Sequence, residues 1–165
     1  MSEPATPHDD AYVAYVRAAR EGERRGVALF GGLARRRNDA REAALLDRLT
    51  HLEVVTGALL DDLLRRLDPA AVPDPAVEVV DPRVEDLAAA EWPDLMAWLH
   101  ALVEPLIPRF EAAESLAPDA DRWILERFTL HEVALLEFAA AQLADPGGDA
   151  GLDAVESAIE RVGAR

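Results

Sequence analysis

Residues 68–82, DPAAVPDPAVEVVDP, place proline at positions 69, 73, 75 and 82. So much proline removes the backbone donors and the φ freedom of a helix interior, so the segment reads as an extended connector. Its length acquires meaning from what precedes it. Leu45, Leu49, Leu52, Leu59, Leu60, Leu63 and Leu67 recur at the three-and-four spacing of one helical face, from a cap at Asn38 or Asp39 to Asp68. That predicted helix of about 28 residues is roughly 42 Å long at ~1.5 Å per residue. The connector, about 14 extended residues at ~3.3 Å each, reaches roughly 46 Å and can return along the whole helix. A bundle of simple hairpins needs only a few linking residues there. The next helix is therefore expected to start where the leucine helix started, and the two to run parallel.

Around this pair the chain reads as helices throughout. Tyr12, Tyr15, Val16, Ala19, Val27, Phe30 and Leu33 predict a first helix over 12–37, joined to the leucine helix by a turn short enough to make the two antiparallel. After a short amphipathic piece, PRVEDLAAA, a third helix starts at Pro93 and presents Leu95, Met96, Leu99, Val103, Ile107 and Phe110, with kinks expected at Pro105 and Pro108. A break at Ala117, Pro118 and Asp119 precedes a fourth helix from Trp123 to Leu143, and a fifth, weakly amphipathic run covers Leu152 to Val162. Strand-type alternation and hairpin turn signals are absent, which argues against α/β and all-β folds. The fold class is all-α: a four-helix bundle over 12–144 with a long crossover between helices 2 and 3. A mobile tail is expected at 1–11, and a Gly/Pro linker with a short helix at 145–165.

Composition removes several chemistries. The chain has no cysteine and no lysine, so zinc-thiolate sites, iron–sulfur clusters, thiol nucleophiles, Schiff bases and a phosphate-loop lysine are excluded. A net charge of −15 repels phosphate backbones and anionic membranes, so neither nucleic acid nor a membrane is an expected partner. The opening MSEPATPHDD lacks the layout of a signal peptide and points to a cytoplasmic protein. No Ser-His-Asp order, glycine-rich phosphate loop or HExxH is present.

Against this background, three acids stand on apolar faces. With residues ~100° apart, Glu23 falls about 20° from the centre of the first helix's face, Glu53 about 50° from the leucine stripe, and Glu132 about 40° from the face of Leu125, Phe128, Leu135 and Ala139. Glu23 precedes Asn38 by 15 residues and Glu53 follows it by 15, so an antiparallel hairpin brings the two to one level. In the second hairpin, Glu132 follows Asp119 by 13 residues and Glu104 precedes it by 15, a mismatch of ~3 Å that makes Glu104 the fourth candidate. His131, about 60° off its face, and His100, four residues before Glu104, are the candidate nitrogen ligands. His51 projects away from the stripe.

Desolvating several carboxylates together costs several kcal/mol each, and their mutual repulsion adds to it unless a cation intervenes. A hard or borderline metal such as iron, manganese or magnesium suits carboxylate oxygen with added imidazole. The alternative is a Glu–Arg network, with Arg24, Arg25 and Arg127 nearest in sequence. With topology and inward acids in hand, the chain resembles the ferritin-like superfamily. Its di-metal members carry a Glu on helices 1 and 3 and a Glu-x-x-His pair on helices 2 and 4. The resemblance matches Glu23 to the helix 1 ligand and Glu53 and Glu132 to the glutamates of the two pairs. The paired histidines are absent, because Thr56 and Leu135 stand at those positions. What the resemblance implies is a metal-binding protein, holding iron or manganese, with metal-centred redox or oxygen chemistry.

A reading from a different class remains beside it: a metal-free bundle serving as a structural or interaction module. In that reading glycines 22, 26, 31 and 32 of the first helix, or the carboxy-terminal helix, mediate a homodimer. Trp92, Trp98, Trp123, Phe128 and Phe138 read as core packing, and Thr56 as bonding its own backbone four residues back.

Overall fold

The computed structural model describes residues 10–164, and the described residues are all helix, turn and coil. The elements are α1 (Asp10–Ala34), α2 (Ala40–Leu67), a 3₁₀ turn (Pro69–Ala71), α3 (Arg83–Ala88), α4 (Trp92–Val103), α5 (Ile107–Glu114), α6 (Arg122–Ala144) and α7 (Leu152–Gly163). The all-α class stands. Most of the expected tail, with His8, lies outside the described residues, while Asp10 and Ala11 already belong to α1.

Asp39, the second of the two cap candidates, starts α2 by accepting from the backbone N–H groups of Arg41 and Glu42, both at 2.9 Å. α1 and α2 then pack antiparallel. Arg17 pairs with Asp68 near one end and Arg20 with Asp61 one turn further in. The apolar faces divide into two clusters. One joins Leu33, Leu46, Leu49, Met96, Leu99 and Phe138. The other joins Tyr12, Val16, Leu60, Leu64, Leu125 and Phe128. Glu23, Glu53 and His131 fall between them in sequence on α1, α2 and α6, and so form a polar layer at mid-height.

The connector after α2 touches α1 progressively closer to the α1–α2 turn. Val77 accepts from Arg24 Nη2 at 3.0 Å, and Val84 packs on Gly32, where a Cβ would lie 2.8 Å from the valine Cγ2. Glu85 pairs with Arg36 at 2.7 Å. Arg37 donates to the Ala90 carbonyl at 2.7 Å, just before α4 begins. Trp92, at the start of α4, donates Nε1 to Gln142 near the end of α6 at 2.9 Å, so α4 and α6 meet in opposite directions.

Three expectations change. The kinked third helix is a full break: Pro105 cannot donate, the Leu106 N–H turns to Val103 O, and α5 restarts at Ile107. The last helix is not a weak appendage, because Val155, Ala158 and Val162 are buried against α2 and α6. Its approach depends on Gly151, whose φ of +82° and position 2.7 Å from Phe138 Cα, measured from an added Cβ, exclude any side chain. Trp123 is also not core. It is 43% exposed with the Arg127 guanidinium 4.6 Å from its ring centre.

Candidate metal centre

The polar layer takes its members from three helices. Glu23 on α1 is 2% exposed, Glu53 on α2 is 4% exposed, and His131 on α6 is completely buried. Each offers a ligand atom lying within 4.8 Å of the others, and among the described residues this is the grouping of acidic and imidazole side chains that converges so closely. His131 Nε2 stands 3.3 Å from Glu23 Oε1 and 4.0 Å from Glu53 Oε1. Glu132 flanks the group, its Oε1 3.7 Å from the same nitrogen.

Local chemistry fixes the imidazole. Its Nδ1 meets the Phe128 carbonyl three residues back, which leaves Nε2 directed at the acids. Nε2 and Glu23 Oε2 are nonetheless shielded from solvent without a hydrogen-bond partner, the 3.3 Å approach being poorly aligned for one. Burial pushes the Glu53 carboxyl well above the usual range, and the Glu23 charge adds to that while His131 opposes it. Burial likewise raises Glu132, with Glu23 adding to it. For His131 burial favours the neutral ring, but the charges of Glu23, Glu132 and Glu53 outweigh it and push the imidazole upward.

The arginine alternative fails on geometry. Arg24 binds Glu21 and Val77 O, Arg25 leans on Glu21, and Arg127 covers Trp123 and meets Ala164 O. Among the described residues the ion-pair partner of Glu23, Glu53 and Glu132 is His131 in each case. One imidazole faces three acids.

Ligand atoms ~2.1 Å from one octahedral ion lie about 3.0 Å apart on adjacent positions and ~4.2 Å apart on opposite ones. The 3.3 Å separation is near the adjacent value and the 4.0 Å separation just below the opposite one. Two carboxylates with one imidazole are a donor set for iron, manganese or zinc.

Some of the predicted site residues do not arrive. Glu104 is exposed at the end of α4, where its backbone is still helical and its N–H donates to His100 O at 3.0 Å, its position around the helix lying about 100–120° from the apolar face, and His100 is only half-buried and outside the cluster. His131 is deeper than Glu132, which reverses the expected order on α6. The reason is the stripe Phe128, His131, Leu135, Phe138 and Gln142, spaced 3, 4, 3 and 4, all buried. Its centre runs through His131 rather than Glu132. Thr56 does bond Leu52 O, at 3.0 Å, and His51 is exposed.

The sequence reading missed two contributors. Gly26 makes room for Glu53: a Cβ there would overlap the carboxylate, lying 2.5 Å from Cδ. Glycine on the acid-bearing face, one turn from Glu23, was the available signal. Tyr15 is the other, its hydroxyl buried without a partner and pushed upward by burial and by the charges of Glu132, Glu114 and Glu23. Gly26 and Gly32 thus serve contacts within the chain, as does the apolar face of α7, while a Cβ added at Gly22 would meet nothing within 4 Å. Comparison of the chain with protein-family models, curated proteins and solved structures finds no match.

Proposed function

We propose that this chain is a metal-binding helical bundle, ferritin-like in connectivity, that holds an iron or manganese ion through Glu23, Glu53 and His131. The observation that carries the reading is the convergence of these buried ligand atoms around an imidazole Nε2 that has no hydrogen-bond partner. The course of the connector supports the ferritin-like part, since its contacts with Arg24, Gly32 and Arg36 bring the chain back along α1 before α4 begins. Bound iron or manganese would supply one-electron redox chemistry. The chain's residues would exclude water through the two apolar clusters, hold the imidazole tautomer through Phe128 O, and keep Glu132 beside the ligands on the open side.

A second reading rests on the 3.3 Å approach of His131 Nε2 to Glu23: a metal-free Glu–imidazolium pair that serves structure alone. Metal analysis separates the two. Protein purified without a histidine tag and reconstituted anaerobically should carry about one equivalent of iron or manganese, released as the pH falls and the ligands protonate. Less than about a tenth of an equivalent after reconstitution overturns the metal reading.

A further inference from the structure

Between α1 and the α4–α5 pair lies a cleft of about 330 Å³. Its walls are apolar, formed by Leu99, Leu102, Val103, Leu106 and Phe110 on one side and Ala19, Leu29 and Phe30 on the other. Polar side chains interrupt this surface, because Glu23, Glu53 and Glu132, with Tyr15, Arg25 and Arg83, also line the cleft. Glu23 and Glu53 are closed off, but the Glu132 side chain keeps 12% of its surface accessible. The break at Pro105 helps to shape this wall, since Leu106 and Phe110 face the cleft from the far side of it.

We infer that this cleft is a binding site for an apolar small molecule of about a dozen non-hydrogen atoms carrying one hydroxyl, with the hydroxyl donated to Glu132. Size sets the first half of that description: a dry cavity of ~150 Å³ holds benzene, so about twice that volume holds an aryl ring with a short alkyl chain. Chemistry sets the second. A carboxylate oxygen can only accept, and among the described residues the ion-pair contact of Glu132 is the imidazole 3.7 Å away. A ligand lacking a donor would desolvate that acid without replacing its hydrogen bonds. The inference rests on the metal reading only for the role of such a ligand, which would sit beside the centre; the cleft itself needs no ion.

The test uses the full chain, metal-free and after iron loading, with 4-butylphenol and its methyl ether 4-butylanisole as probes in calorimetric titrations. Saturable one-to-one binding of both is expected, with the phenol roughly tenfold tighter because only it can donate. In Glu132→Leu that preference should collapse while the ether still binds. Gly22 lines the cleft and an added Cβ there meets nothing within 4 Å, so Gly22→Leu should fill it and abolish binding of both probes. If circular dichroism shows that Gly22→Leu is misfolded, Leu106→Trp fills the cleft from the opposite wall. No saturable binding to the parent protein, equal affinity for the two probes, or undiminished binding to the filled variant overturns the inference. Metal uptake is measured on the same preparations without probe. A cleft that binds phenol in protein that takes no metal leaves the inference standing and removes the metal reading; metal uptake without phenol binding does the reverse.

Discussion

Two of the buried polar groups among the described residues are built on opposite principles. Near the α1–α2 turn, Gln142 is fully buried and has all of its hydrogen-bonding capacity in use. Its Oε1 accepts from Trp92 Nε1 at 2.9 Å and Arg41 Nη2 at 3.1 Å, and its Nε2 donates to Gly148 O at 3.0 Å and Ala150 O at 2.7 Å. The guanidinium carbons of Arg37 and Arg41 lie 5.9 and 5.7 Å from the Trp92 ring centre, supplying its electron-rich faces with positive charge. That arrangement ties the loop before α7 to α4 and α6 and satisfies every polar atom of the Gln142 side chain, while Arg41 Nε and Arg37 Nε and Nη2 beside it are buried without a hydrogen-bond partner. The mid-height layer is incomplete. Its acids outnumber its cation, and His131 Nε2 and Glu23 Oε2 have no hydrogen-bond partner. A satisfied network specifies packing; an unsatisfied one stores a demand that a ligand can meet.

The contrast can be broken at either end. The largest effect is expected at Gln142: Gln142→Leu leaves Trp92 Nε1 and Ala150 O without partners, while Arg41 Nη2 and Gly148 O keep each other, and should cost about 3–5 kcal/mol in chemical denaturation, with metal uptake retained by the folded fraction. At the mid-height layer the dominant loss should be in binding. His131→Ala removes the nitrogen ligand and should weaken metal affinity roughly 100-fold in competition titrations, and unchanged affinity would contradict the assigned ligand set.

Stability of the metal-free protein sharpens the difference further. Glu53→Leu replaces a repelled, desolvated acid with an apolar side chain of similar volume, and should stabilise the ion-free protein by about 1–2 kcal/mol. In excess metal the same variant should fall below the parent. A change of the opposite sign in the ion-free state would place the cluster with Gln142 as a satisfied network. Gly26→Ala gains about 1 kcal/mol of helix propensity but pushes on the Glu53 carboxylate, so metal affinity should drop roughly tenfold with little change in melting temperature.

The smallest expected effect lies outside both regions. Asp81 accepts from the Arg83 side chain at 2.6 Å, and that hydrogen bond holds its carboxyl below the usual range, against the opposing effect of burial. A lowered folded value means that the pair stabilises the fold above the unfolded carboxylate value of about 3.9 and that this contribution disappears as pH falls through the folded value. The stability gap between parent and Asp81→Asn should therefore be open at pH 7 and narrower at pH 2 when denaturant unfolding is compared at both.

How much of this was legible in the chain follows from range. The helices were, because their periodicity and caps are local: Asp39, the leucine stripe and the proline connector all acted where they stand. Glu23 and Glu53 were legible for the same reason, with equal spacing from one short turn placing both at one level. Glu104 was misplaced because it was chosen for its level in the second hairpin, although its angle of about 100–120° from the apolar face already pointed it away from the core. The order of His131 and Glu132 was misjudged because neighbouring residues differ by only ~100° around α6, and the face is chosen by what packs against it. Trp123 went astray similarly, as nothing local tells an aromatic at a helix start whether a neighbouring helix will cover it.

By itself, then, the sequence determined an all-helical chain, its breaks, and two inward acids on its first hairpin, because apolar periodicity and backbone chemistry act over a few residues. Only the tertiary structure decided that His131 completes the cluster, that Gly26 shelters Glu53, that among the described residues no arginine pairs with the acids, and that a cleft opens beside Glu132. Those outcomes depend on which faces of separate helices meet, and that is set by the packing of the whole bundle.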